Sequence, residues 1–296
     1  MREADVICRF MEPPQWSIEP IMTTSPTNTL ALDLESGALA LAIAEIAEEA
    51  ARLILPYWRS NTAVETKSDD SPVTQADRAA EALILERLAA LYPGVQTVAE
   101  EAVAANGAPA SAEDWFWLID PLDGTKGFVR GGEAFTVNIA LMHAGYPVAG
   151  VVTAPATATT WRTDTPGGGA FRRQYGEQQE GEAHAGAEWR PIKVRDRPQE
   201  GMALLSHSVT DEEAARLAAR HGCTRWQGTD SSLKFCLIAE GRFDAYPRSG
   251  PTSEWDTAAG QAVLEAAGGR VLADDGQRLA YGKPQFLNGP FVAMGG

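Results

Sequence analysis

A run of apolar, mostly aromatic residues, Trp115-Phe116-Trp117-Leu118-Ile119, meets two carboxylates and a proline in Asp120-Pro121-Leu122-Asp123-Gly124-Thr125. Such a run fits a strand buried on both faces. A buried strand followed at once by Asp120 and Asp123 carries charge to the end of a sheet. Pro121 has no N–H for a ladder and a fixed φ, so the chain is expected to leave the sheet there. Gly124 allows a tight turn, and Gly124-Thr125 can open a helix whose free N–H groups attract an anion. Hard oxygen donors beside an anion-binding helix start have the chemistry of a Mg²⁺–phosphate site. The same string also serves as a plain turn, so it does not decide the matter alone.

Around it, hydrophobic periodicity predicts helices over 32–58, with Pro56 as a stop, and over 74–91, ending at Pro93-Gly94. Strands are expected at 95–98, 134–142 and 148–152, the last two forming a pair across His143-Ala144-Gly145-Tyr146. Residues 164–190, rich in Gly and Glu, read as an exposed hairpin and loop and as a domain boundary. Beyond it strands (203–206, 243–246, 270–273) alternate with helices (211–221, 232–240, 254–267). An α+β first half (31–163) and an α/β second half (164–296) predict a layered αβαβα molecule. Residues 1–30, with four prolines and clustered Ser/Thr, are expected to form a disordered extension.

Other acidic positions add weight to the 120–125 segment. Glu100 and Glu101 follow the expected strand 95–98, again at a strand end. Asp256, in Trp255-Asp256-Thr257-Ala258-Ala259-Gly260, falls in the first turn of an expected helix. Asp77 lies three residues after Thr74 in Ser71-Pro72-Val73-Thr74-Gln75-Ala76-Asp77. Taken singly, each has a bland explanation: a solvated Glu pair, a helix-dipole partner, a capping box.

Forty acidic against 25 basic side chains give a formal charge of −15, which argues against binding nucleic acid polymers or an anionic membrane. A small anionic substrate stays possible if cations reverse the sign locally. Cys8, Cys223 and Cys236 show no CxxC spacing, so reduced thiols and a cytoplasmic location are expected, and no apolar run is long enough for an integral membrane segment.

Four motifs in this order, SPVTQAD (71–77), AEE (99–101), DPLDGT (120–125) and WDTAAG (255–260), resemble the Mg²⁺-dependent, Li⁺-sensitive inositol monophosphatase superfamily. The runs DGTK (123–126), FTVNIAL (135–141), SSLKFC (231–236), YPR (246–248) and GPTSEWD (250–256) are similar to its CysQ-type 3′(2′),5′-bisphosphate nucleotidases. The resemblance implies a sugar-phosphatase-like fold and two or three Mg²⁺, with Li⁺ as an inhibitor. It implies that Glu100, Asp120 and the carbonyl of Leu122 hold one ion, that Asp120, Asp123 and Asp256 hold a second, and that Glu100 with Asp77 helps place a weaker third. It further implies that Gly124 and Thr125 offer N–H groups to the scissile phosphate and that Thr125 with Asp77 orients and deprotonates the attacking water. His207, Ser231, Lys234 and Arg248, with Asp256, match positions that contact the nucleotide and its second phosphate. Residue 127 is Gly where the subfamily has glutamate, and residue 99 is Ala where Ser or Gly is commoner. Neither change removes a ligand, but Gly127 loosens the loop beside the site.

The implied chemistry is consistent with the charges. Glu100, Asp120, Asp123, Asp256 and Asp77 would carry five negative charges, and a phosphate dianion adds two. Without cations that assembly repels its substrate. Two divalent ions about 3.5–4 Å apart can clamp both the entering and the departing oxygen of an in-line displacement. Three functions stay open. One is a nucleotidase that takes adenosine 3′,5′-bisphosphate, a small phosphorylated nucleotide, to AMP and phosphate. The second is a phosphatase for inositol, histidinol or sugar phosphates. The third is a non-catalytic protein whose carboxylates only bind cations. Lys234 and Arg248 favour the first, because a monophosphate needs no second anion clamp. The sequence leaves monomer and homodimer equally open.

Overall fold

A computed structural model describes residues 26–59, 64–66, 72–176 and 188–296. Helices α1 (Pro26–Ser36) and α2 (Ala38–Ile54) come first, then a short antiparallel pair, β1 (Val64–Thr66) and β2 (Pro72–Thr74), and helix α3 (Gln75–Leu91). The single helix expected over 32–58 is broken at Gly37, which adopts a left-handed φ of 81° that other residues resist. α1 begins inside the stretch expected to lack order, and Leu30 is fully buried; residues 1–25 lie outside the described residues.

A seven-stranded sheet follows. Its spatial order is its chain order: β3 (Gln96–Ala99), β4 (Trp115–Asp123), β5 (Thr136–His143), β6 (Tyr146–Ala154), β7 (Thr159–Thr163), β8 (Ala170–Gln174) and β9 (Arg190–Ile192). Only β3 and β4 pair in parallel. The short helix α4 (Glu100–Asn106) leaves β3, and α5 (Thr125–Val129) leaves β4. A second sheet of order β11-β10-β12-β16-β14 is built from β10 (Gly201–Leu205), β11 (Cys223–Gly228), β12 (Ala245–Arg248), β14 (Arg270–Ala273) and β16 (Phe291–Met294). Between these strands run α6 (Asp211–Arg220), α7 (Leu233–Ala239) and α8 (Ala258–Ala266), with a small pair of β13 (Thr252–Ser253) and β15 (Leu287–Asn288).

Period-two alternation explains the layering. Trp117, Ile119, Val137, Ile139, Leu141 and Val151 face a core shared with α1, α2 and α3. Their neighbours Phe116, Leu118, Ala140, Met142 and Val152 face a second core shared with α7, α8 and the five-stranded sheet. Helix α6 covers that sheet's outer face through Ala214, Leu217 and Ala218. The order helices, sheet, helices, sheet, helix is the expected αβαβα stack.

One correction concerns Pro121. The strand does not end at Asp120 but continues to Asp123, with a register irregularity in its pairing to β5 between Asp120 and Asp123. Strand β3 stops pairing at Ile119, so the side of β4 that would need a proline N–H has no strand neighbour.

Helix α8 is fixed by a buried polar network at its start. The Glu254 carboxylate accepts N–H groups of Gly282 (2.7 Å) and Lys283 (3.0 Å), and pairs with Lys283 Nζ at 2.7 Å. Thr257 Oγ1 donates to the Glu254 carbonyl and receives Asn288 Nδ2 at 2.8 Å. This network holds the turn that carries Asp256. Removing the Glu254 carboxylate leaves the Gly282 and Lys283 N–H groups without their acceptor. Glu254→Ala is therefore expected to lower stability by about 2 kcal/mol in urea unfolding. A loss below about 1 kcal/mol would show that the network does not hold this turn.

Candidate active site

The sequence motifs meet where the two sheets face each other across α7 and α8. A cavity of about 640 Å³ is lined by Glu100, Asp123, Gly124, Thr125, His207, Ser231, Lys234, Arg248 and Asp256, among others. Asp77, Asp120 and Leu122 are buried, at 0–1% exposure, rather than lining it. The ligand and substrate residues that the resemblance implies thus either line the cavity or are buried, whereas Glu101 is half-buried and does not line it.

Each arrives by a different local device. Asp120 and Asp123 stand at the end of β4, where the Leu122 N–H donates to Asp120 Oδ1 at 3.0 Å. Gly124 then turns the chain with φ 91°, and a Cβ there would come 2.8 Å from the Ala134 carbonyl oxygen, so no other residue fits. Helix α5 opens at Thr125, leaving its first N–H groups without partners inside the helix. The Thr125 hydroxyl donates to the Leu122 carbonyl at 2.9 Å and lies 3.5 Å from Asp77 Oδ2. Asp77 occupies the first turn of α3. Whether Thr74 caps that helix concerns a side chain outside the described ones, as are residues 67–71. Asp256 precedes α8 by two residues instead of lying in its first turn, and its Oδ2 accepts the Ser253 N–H at 3.0 Å. The helix starts late because Thr257 has non-helical φ and ψ.

Electrostatics binds these residues into one unit. Burial pushes the Asp120 carboxyl well above the ordinary carboxylate range, and the charges of Glu100, Asp123, Asp256 and Asp77 push it further. Burial also raises Asp256, with Asp123 and Glu100 adding to it, and raises Asp123. Asp123 is partly relieved by Lys234 and by hydrogen bonds from the Ser232 N–H and Asn138 Nδ2. Among the described residues, no three His, Cys, Asp or Glu side chains are already arranged to hold a metal ion. The carboxylates share a neighbourhood without forming a closed coordination shell. Their donor set, hard oxygens only with the Leu122 carbonyl beside them, fits Mg²⁺ and not a softer ion.

Lys234 is buried, 4% exposed. Its Nζ donates to the Ser231 carbonyl at 2.7 Å and sits 4.8 Å from the Tyr246 ring centroid. Burial lowers its pKa to about 8, with Asp123, Asp230 and Asp256 opposing the fall. Ser231 is held at φ 57°, a strained value of the kind that clusters at functional sites. Arg248 donates Nε to the Gly250 carbonyl and Nη2 to that of Pro251, at 3.3 and 3.2 Å. At Gly127, the nearest atoms to an added Cβ would be Asp230 Oδ2 at 3.9 Å and the Ala134 carbonyl at 4.0 Å, so the missing side chain leaves open room.

Sequence reading missed three contributors. Ser232 joins the two halves: its N–H and hydroxyl reach Asp123 and the Asp256 carbonyl. Asp230 lines the cavity beside His207. Glu81, one turn after Asp77 on α3, accepts the N–H groups of Glu101 and Ala102 at 2.8 Å each and so fixes the helix start that carries Glu100. Burial raises its pKa to about 7. Only the i, i+4 spacing of Asp77 and Glu81 hinted at it.

The sequence profile of the inositol monophosphatase family matches residues 37–293. The 3′(2′),5′-bisphosphate nucleotidase CysQ of Salmonella typhimurium is 39% identical over 255 residues, covering 84% of this chain and 96% of its own. That of Escherichia coli K12 is 40% identical over 235 residues, 77% of this chain and 87% of its own. Among solved structures, CysQ from Bacteroides thetaiotaomicron superposes with a TM-score of 0.71 at 32% identity, covering 89% of this chain and 98% of that one.

The raised carboxylate pKa values set a pH dependence. A carboxyl raised in the folded state favours folding while protonated, and that contribution is lost as pH rises through its folded pKa. In EDTA, the melting temperature is expected to fall as pH rises out of the ordinary carboxylate range through about 7, the value to which Glu81 is raised, and millimolar Mg²⁺ to raise it more at the higher pH. Equal melting with and without Mg²⁺ at pH 8, followed by circular dichroism, would contradict this.

Proposed function

From the premise that the chain belongs to the inositol monophosphatase family, we propose that it is a Mg²⁺-dependent phosphomonoesterase that hydrolyses adenosine 3′,5′-bisphosphate to AMP and phosphate. The observation that carries this reading is the cavity itself. Its wall combines a carboxylate cluster with two cationic side chains, the buried Lys234 and Arg248. The clustered carboxylates suit the reacting phosphate only through cations, while the fixed cations suit a second phosphate directly.

Glu100, Asp120 and the Leu122 carbonyl would hold one ion, and Asp120, Asp123 and Asp256 another, with Glu100 and Asp77 placing a weaker third. When bound, such ions supply positive charge, a more acidic water and stabilisation of the departing oxygen. The protein's own groups do the rest. Gly124 and Thr125 present N–H groups at the start of α5 to the phosphate oxygens. The Thr125 hydroxyl, now turned to the Leu122 carbonyl, can turn to Asp77. It can then accept a proton from the attacking water as it passes its own to the Asp77 carboxylate. Ser231, Lys234, Arg248 and His207 hold the nucleotide. Li⁺ would inhibit by competing at the weaker ion position.

Phosphate release from adenosine 3′,5′-bisphosphate, inositol 1-phosphate and histidinol phosphate, compared side by side with Mg²⁺, tests the substrate assignment. A preference for the bisphosphate is expected, and a clear preference for the inositol ester would overturn it. Asp120→Asn is expected to lose at least about a thousandfold in kcat with its fold intact. Because it removes one charge from a repelling group, it should also melt higher than the wild type in EDTA at pH 8. Retained turnover would remove Asp120 from the chemistry.

A further inference from the structure

Part of the cavity wall has no task in the hydrolysis itself. His207 follows β10 and its side chain is 64% exposed, yet two contacts fix its ring. Nδ1 lies 3.1 Å from Asp230 Oδ2. The Cδ2–Nε2 edge lies against Gly228, the last residue of β11, where an added Cβ would come 2.7 Å from Cδ2 and 3.0 Å from Nε2. Asp230 is held in turn. Its Oδ1 receives the Ser206 hydroxyl at 3.4 Å, and the neighbouring Thr229 N–H donates to the Leu205 carbonyl at 2.8 Å. Gly127 adds no side chain to crowd the pair, since an added Cβ there would stop 3.9 Å from Asp230 Oδ2.

An exposed histidine ordinarily samples several rotamers and both neutral tautomers. Here the carboxylate selects one rotamer, and in the neutral ring keeps the proton on Nδ1. The cavity, about 640 Å³, is also much larger than one phosphate requires and falls in the range of sites that enclose a whole small molecule.

We propose that Asp230 is a positioning residue: with the bare backbone of Gly228 it holds the His207 ring as a fixed planar wall for the nucleoside part of the substrate. The proposal rests on the nucleotidase reading. It concerns affinity for the nucleoside and not the chemical step, because Asp230 acts through His207.

The test compares wild type, Asp230→Ala and Asp230→Glu in steady-state kinetics with adenosine 3′,5′-bisphosphate, together with product inhibition by AMP and by inorganic phosphate. Asp230→Ala is expected to raise KM and the inhibition constant of AMP about tenfold. It should leave kcat and the inhibition constant of phosphate within about twofold, and Asp230→Glu should recover part of the loss. Gly228→Ala, which displaces the ring without touching the carboxylate, should give the same split and serves if Asp230→Ala folds poorly. Unshifted values, or equal weakening of AMP and phosphate, would overturn the proposal while leaving the nucleotidase reading in place. A wild-type chain inactive on the bisphosphate would overturn both.

Discussion

Repulsion among carboxylates drawn to one point of the interior is the interaction on which the rest of this structure depends. Asp120 is almost fully buried, and its carboxyl feels Glu100, Asp123, Asp256 and Asp77 together. A fold gains nothing by assembling such charges for stability alone, since each loses hydration and opposes the others. The surrounding groups offset part of this. Ser232 and Asn138 donate to Asp123, the Ser253 N–H donates to Asp256, and Lys234 places one positive charge within reach. The cluster that remains is oxygen-lined, and it opens on a cavity large enough for a substrate. An affinity for small hard cations follows from that residue set before any relative is considered.

The scaffold delivers these groups from separate stretches of chain. Helix α3 carries two of the important carboxylates one turn apart, Asp77 toward Thr125 and Glu81 toward the start of α4. Strand β4 supplies Asp120 and Asp123 from an end that β3 no longer covers. The second half of the chain supplies Asp256 from a turn fixed by Glu254, Thr257 and Asn288, and the cations from α7 and β12. Ser232 links the halves by touching both Asp123 and Asp256. The site is therefore only as well placed as the packing of the two sheets around α7 and α8.

Much of this was legible in the residues, for definable reasons. The aromatic run at 115–119 fits a strand buried on both faces, which put the carboxylates after it near a sheet end. Alternating apolar patterns placed α6, α7 and β14 to within a residue or two. The limits have physical causes. β16, short and hard against the C-terminus, and β11, largely exposed, carry little of the alternation that betrays a half-buried strand. Pro121 suggested an exit that the absence of a neighbouring strand made unnecessary. The burial of Lys234 is not legible in the sequence because it is set by partners elsewhere in the fold, here the Ser231 carbonyl, the Tyr246 ring and Asp123. Asp230 and Glu81 escaped notice because their roles lie in what they hold and not in what they are.

The most direct test of the central claim is anomalous diffraction from a crystal of this chain grown or soaked with Mn²⁺, a hard ion that prefers the same oxygen donors. The account predicts at least two anomalous peaks among Glu100, Asp120, Asp123 and Asp256, with an Asp120 oxygen coordinated to each. No peak there at saturating Mn²⁺, with the four carboxylates turned away from one another, would contradict it.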